Sequence, residues 1–201
     1  MVTILTVGLT GDVGAGKSAL ASLWREMGAK VIDADEIAKR QWSDLKVRRK
    51  VESRWGSAFF KGDLKNVYAK IAAKIFSDAA EYKFATKIIH EATFKEIQNI
   101  LAESCRWVVL EIPLFFESGH YGWLDYVVYA AAPREKRIEW NSVRGWDESE
   151  MSRRENWFMP RDEKISRSSF VLENNGTMEE WKEKGRELGR FFLKKLEDNA
   201  L

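Results

Sequence analysis

Cysteine occurs once, at Cys105, and histidine twice, at His90 and His120. A lone thiol excludes a disulfide framework and a cysteine-rich zinc site, and two imidazoles are too few for a histidine-built metal centre. Neither sign of charge dominates: 33 Lys and Arg stand against 31 Asp and Glu, a net charge of +2. That balance offers no broad electrostatic footprint for nucleic acid or an anionic membrane. No apolar run approaches the roughly 18 residues of a membrane helix, and residues 1–8 lack the basic start of a signal peptide. Internal repeats and low-complexity stretches are absent as well. What remains is the expectation of a single cytoplasmic domain acting on small molecules, with no nucleic-acid or membrane partner.

Tryptophan, in contrast, is abundant, with nine in 201 residues. Trp24 and Trp107 fall on apolar stripes and read as core. Of the other seven, Trp42 and Trp55 fall in one helical stretch, Trp140, Trp146 and Trp157 in another, and Trp181 on the closing helix.

The chain opens with Val2, Ile4, Leu5, Val7 and Leu9, a short β-branched run typical of a strand buried on both faces. Glycines follow, then Ala19, Leu20, Leu23, Trp24 and Met27 at helical spacing, closed by Gly28. Val31 and Ile32 form a second short strand, so the start reads strand–loop–helix–strand, the opening of a parallel α/β sheet. Residues 36–104 carry only helical patterns, among them a stripe of Leu45, Val51 and Trp55 ending at Gly56. Further strands are expected at 107–111, 126–130 and 170–172, and a closing helix from Met178 to about Leu196. The predicted fold is α/β: a parallel sheet of about five strands interrupted by a helical insert over 36–104.

Gly11-Asp12-Val13-Gly14-Ala15-Gly16-Lys17-Ser18 fits G-x-x-x-x-G-K-[ST] between a predicted strand and a predicted helix. Glycines let successive backbone N–H groups converge on phosphate oxygens, and the helix beginning near Gly16 adds the positive end of its dipole. Lys17 would reach the β- and γ-phosphates of ATP, Ser18 would ligate Mg²⁺, and Ala19 completes the nucleotide-contacting run. The Asn-Lys-x-Asp motif by which GTPases read their base is missing. A small P-loop chain with a helical insert and an arginine-rich segment suits a nucleoside or metabolite kinase. Its expected fold is a three-layer P-loop NTP hydrolase-type parallel sheet with a helical substrate-binding insert and a helical lid. Residues 1–35 and 105–201 would form the nucleotide-binding core, 36–104 the insert and 141–160 the lid.

Such a kinase needs a carboxylate at the acceptor hydroxyl. Asp33 and Asp35 follow the second strand, where ligands of open α/β sheets gather. One would cap a helix beginning near Glu36 and the other would do chemistry; position alone leaves the choice open. Glu111 closes the third strand, a place for a carboxylate that holds Mg²⁺. Pro113, Leu114 and Glu117 lie in the stiff apolar loop after it. Seven arginines occur between 134 and 167, of which Arg144 and Arg154 are expected to face the transferring phosphoryl group.

Taken in order, these segments resemble the dephospho-coenzyme A kinase family over essentially the whole chain. The resemblance rests on residues 7–18, on Asp33-Ala34-Asp35 within 31–38, and on Ile75-Phe76 followed by His90. It also rests on residues 111–117 and on Val171-Leu172-Glu173-Asn174-Asn175-Gly176. It implies transfer of the ATP γ-phosphoryl group to the ribose 3′-hydroxyl of dephospho-coenzyme A, with Asp35 as the base. Asp33, His90, Pro113, Leu114 and Glu117 would lie on the substrate side and adenine beside Asn175. The chain departs from the family pattern at Glu91, where a proline follows the histidine, and at Phe158, where the lid carries a glutamine. It also departs at Val67 and Tyr68, where the insert carries an arginine, and Arg144 matches only after a one-residue shift. Lys164 is retained. Two other readings are a kinase of the same fold with a different acceptor and a nucleotide-binding protein without transferase activity.

Overall fold

Leu5–Gly11 forms strand β1 with every residue buried, which is what an apolar run covered on both faces requires. This computed structural model describes residues 4–75, 79–103, 106–112, 116, 122–145, 147–155 and 159–198. The side chains of Leu64, Arg144, Glu150, Arg153 and Arg154 are outside that description. Strands β2 (Lys30–Asp33), β3 (Trp107–Glu111), β4 (Tyr126–Ala131) and β5 (Phe170–Glu173) complete a five-stranded sheet in the order β2-β3-β1-β4-β5. Every neighbouring pair is parallel, as the strand–helix alternation predicts. The register aligns Leu9 with Glu111 and Asp33 with Glu111, so two carboxylates sit side by side at the carboxyl ends of β2 and β3.

Helices α1 (Lys17–Glu26), α2 (Ala34–Gln41), α3 (Leu45–Trp55), α4 (Leu64–Ile75) and α5 (Ala79–Ala102) occupy the first half of the chain. After β4 come α6 (Arg134–Asn141), a 3₁₀ turn (Ser142–Arg144), α7 (Glu148–Glu155), α8 (Arg161–Ser166) and α9 (Met178–Asp198). The chain divides into two compact units, one made of Met1–Asp33 with Leu101–Leu201 and the other of Ala34–Ile100. Among the described residues no helix is long and apolar enough to cross a membrane.

In the sheet unit, the core brings α1 and α9 together on β1, β3 and β4. Trp24 and Trp107, both fully buried, stand 6.3 Å apart between ring centroids, and Phe192 meets Trp24 edge-on at 5.8 Å. The Trp24 indole N–H donates to the Gly185 carbonyl at 2.9 Å, so the large ring is buried without stranding its polar atom. Trp140 packs half-buried against the same core, whereas Trp146 and Trp157 lie outside the described residues.

The helical unit is built around Val47, Val51, Ile88 and Ile89. Leu45, expected on the buried stripe, is 69% exposed. Asp44 caps α3 by accepting from the Lys46 and Val47 amides, so Leu45 sits in the first turn with its side chain outward. Trp42 and Trp55 stack at 6.2 Å with an interplanar angle of 17°. Glu81 of α5 accepts from Arg54 Nε and Nη2 at 3.0–3.1 Å and from the Trp55 indole at 2.6 Å. These hydrogen bonds, those of Arg54 first, hold the Glu81 carboxyl below its ordinary value of 4.5. A depressed carboxyl stabilises the fold fully above the unfolded value, and the contribution is lost as pH falls through the folded one. Glu81→Gln should therefore melt at lower temperature than the parent at pH 7, and the gap should close as pH drops below about 4. A gap independent of pH in calorimetric scans would show that the carboxylate charge is not what ties α3 to α5.

Candidate functional site

The loop between β1 and α1 turns on glycines in the left-handed region, Gly14 at φ 77° and Gly16 at φ 90°. Gly14 also has no room for a side chain, since a Cβ there would lie 2.1 Å from Asn141 Nδ2. The first turn of α1 carries no acidic residue, and its N-cap, Gly16, has no side chain to cap it, which suits an anion at the helix start. Lys17 folds back over the loop, its Nζ donating to the carbonyls of Gly11 at 3.1 Å and Asp12 at 2.8 Å. Desolvation lowers the Lys17 ammonium from 10.5 to about 8, opposed by the carboxylates of Glu111 and Asp12. At pH 7 it is still mostly a cation.

Asp12, which the loop motif leaves unspecified, has its carboxylate turned into the protein. It is buried and accepts from the Tyr129 hydroxyl at 2.5 Å, the Ala132 amide at 3.0 Å and Arg161 Nε at 3.3 Å. Burial first, and then this carboxylate, drive the Tyr129 hydroxyl well above its usual value, so it remains a donor. The side chain thus anchors the loop to β4 and to α8, while its backbone takes part in the loop. Arg137, also buried, donates to the carbonyls of Ala132 and Val13, both at 3.1 Å, and pairs with Glu155 of α7. Beside this half of the loop opens a cavity of about 500 Å³ lined by Asp12, Tyr129, Arg134, Arg137, Arg161 and Lys164, among others.

Ser18 and Glu111, paired in the sequence reading as magnesium ligands, meet directly: Ser18 Oγ donates to Glu111 Oε1 at 3.2 Å. Among the described residues no group of three or more His, Cys, Asp or Glu could hold a metal by itself. A hydroxyl beside one carboxylate is a hard-oxygen pair that suits Mg²⁺ when phosphate oxygens supply further ligands.

Asp33 ends β2 beside Glu111. Helix α2 begins at Ala34, two residues earlier than expected, so Asp35 lies inside its first turn rather than ahead of it. Position in the first turn suits both Asp35 and Glu36, since acidic residues are favoured at the positive end of the dipole. Asp35 is exposed, and His90 sits half-buried on α5 within the helical unit. Pro113, Leu114, Glu117 and Phe158 lie outside the described residues, as do Phe76 and the side chains of Arg144 and Arg154.

At the far end of the loop, Asn175 is exposed, its side-chain oxygen accepting from Lys184 Nζ at 3.1 Å and its carbonyl from Lys136. Its neighbour Asn174 is buried and donates to the Ala15 carbonyl at 3.0 Å. The Trp181 indole, from α9, donates to the Gly16 carbonyl at 3.3 Å. Sequence reasoning placed neither at the loop, although the Asn174-Asn175 doublet after a short strand marks where the chain returns to the site.

A family model described as dephospho-CoA kinase matches residues 5–180. The chain is similar to the dephospho-CoA kinase of Geobacillus kaustophilus, 34% identical over 184 residues that cover 88% of this chain and 90% of the relative. Its structure is similar to that of TT1252 from Thermus thermophilus, with a TM-score of 0.77 and 30% identity. That match covers 92% of this chain and 96% of the other. A shikimate kinase from Acinetobacter baumannii shares the fold at a TM-score of 0.54 and 15% identity, with 100% and 97% of the two chains covered.

Proposed function

The chain belongs to the dephospho-CoA kinase family, and from that membership we propose how its residues carry out the reaction. The protein is an ATP-dependent kinase that phosphorylates the ribose 3′-hydroxyl of dephospho-coenzyme A, giving coenzyme A and ADP, the last step of coenzyme A synthesis. The observation that carries the reading is the glycine loop between β1 and α1, with the Lys17 ammonium folded over it and Ser18 beside Glu111.

Residues from Gly11 through Ala19 bind the phosphate chain, and Asn175 lies on the adenine side. Asp35 accepts the proton of the 3′-hydroxyl as its oxygen bonds to the γ-phosphorus. The bond from that phosphorus to the β–γ bridging oxygen breaks, and ADP leaves with the electron pair. Lys17, with Arg144 and Arg154 of the lid, stabilises the charge that spreads over the transferring group and the leaving oxygen. Ser18 and Glu111 hold Mg²⁺, which when bound neutralises phosphate charge. Asp33, His90 and the loop carrying Pro113, Leu114 and Glu117 bind dephospho-coenzyme A. Residues 36–104 serve as the substrate insert and 141–160 as the lid, attached to a nucleotide core of 1–35 and 105–201. The enzyme works in the cytoplasm, where ATP is available.

Release of ADP from Mg-ATP, followed with dephospho-coenzyme A, AMP, CMP and pantetheine as acceptors, tests the reading. Turnover should require dephospho-coenzyme A, with the other acceptors at background. Faster turnover on AMP or CMP would move the protein to another acceptor class, and ATP binding without turnover on any acceptor would make it a binding protein.

A further inference from the structure

A phosphate loop works only if its N–H groups point at the anion, and across a trans peptide the carbonyl of one residue points opposite to the N–H of the next. Whatever holds a loop carbonyl inward therefore aims the following amide outward. Three loop carbonyls are held by donors from distant parts of the chain. Arg137 takes that of Val13, Asn174 that of Ala15 and Trp181 that of Gly16. The amides so aimed are those of Gly14, Gly16 and Lys17. All three donors are buried, at 4%, 5% and 2% exposure, and so keep little freedom to swing away. The fit is close: a Cβ at Gly16 would lie 2.9 Å from Asn174 Nδ2 and 3.1 Å from Trp181 Nε1.

We infer that Asn174 and Trp181 are positioning residues for phosphoryl transfer, fixing the amides of Gly16 and Lys17 toward the nucleotide phosphates without touching the nucleotide themselves. The inference rests on reading the loop as a phosphate site. It separates two adjacent asparagines by task, since Asn175 remains exposed at the base side while Asn174 acts on the loop from beneath. It also gives the indole of Trp181 a role besides filling core.

Titration calorimetry with ATP and with inorganic tripolyphosphate, which has no base, tests it. Asn174→Ala should weaken both ligands by the same factor, about 10-fold for loss of one buried hydrogen bond, and should lower kcat while dephospho-coenzyme A affinity stays constant. Asn174→Asp keeps the side-chain volume but faces the Ala15 carbonyl with an acceptor, so its loss should be at least as large. Trp181→Phe, which keeps a ring and removes the donor, should show the same pattern with a smaller loss, because its hydrogen bond is longer. Weaker ATP binding with tripolyphosphate unchanged would overturn the inference and make Asn174 a base contact. A lower melting temperature with both affinities unchanged would overturn it in favour of a purely structural role. If the parent protein fails to bind tripolyphosphate, the phosphate site itself is refuted; if it binds but shows no turnover, only the kinase reading fails.

Discussion

Asp35→Asn should lower kcat by about 10²- to 10⁴-fold, the range associated with a positioned general base. The substitution keeps the size of the side chain, replaces one acceptor oxygen with a donor amide, and removes the charge that lets the group take a proton. ATP affinity should change little, because the phosphate loop and Lys17 lie in a different part of the chain from α2. Asp35 is exposed, so the change should leave the melting temperature close to that of the parent. Single-turnover kinetics alongside ATP titration separate these effects. A variant that retains parent turnover would remove Asp35 from the mechanism and leave Asp33, at the end of β2, as the next candidate.

Lys17→Ala should cost about 10²- to 10³-fold in kcat/KM for ATP, as does removal of other preorganised charge stabilisers. The ammonium is already held by the Gly11 and Asp12 carbonyls, so little reorganisation is needed when phosphate arrives. Lys17→Arg should recover little of the loss. A guanidinium is planar and wider than an ammonium, and the loop carbonyls are arranged around a compact charge. Rate measurements on the two variants against ATP would show this. A loss below 10-fold for Lys17→Ala would mean that other cations carry the phosphate charge.

The sequence was most readable where local chemistry decides structure. A buried strand, a run of glycines and a helical stripe in succession admit few arrangements, and β1, the loop and α1 take the expected one. Trp107–Glu111 coincides with β3 because its apolar residues end abruptly at a charge. Element ends were less readable: α2 starts before Asp35, and the Asp44 cap turns Leu45 outward, both settled by hydrogen bonding at helix starts.

Least readable were contacts between residues far apart in the chain. Asp12 looked like an unspecified loop position, yet its carboxylate is held by Tyr129 and Arg161, 117 and 149 residues away. Asn174 reaches Ala15 across 159 residues. Such pairs depend on the strand order, which places β4 beside β1 and β5 beside β4. The tryptophans divide along the same line. Trp24 and Trp107 were identifiable from periodicity as core, whereas the hydrogen bond from Trp181 to the phosphate loop follows only from the packing of α9.

The central claim is the identity of the phosphorylated atom. Phosphorus NMR of purified protein with Mg-ATP and dephospho-coenzyme A measures it directly. A new phosphomonoester signal coupled to the ribose 3′ proton should grow in step with ADP. Inorganic phosphate with ADP and no new monoester, or a monoester at another position, would contradict it.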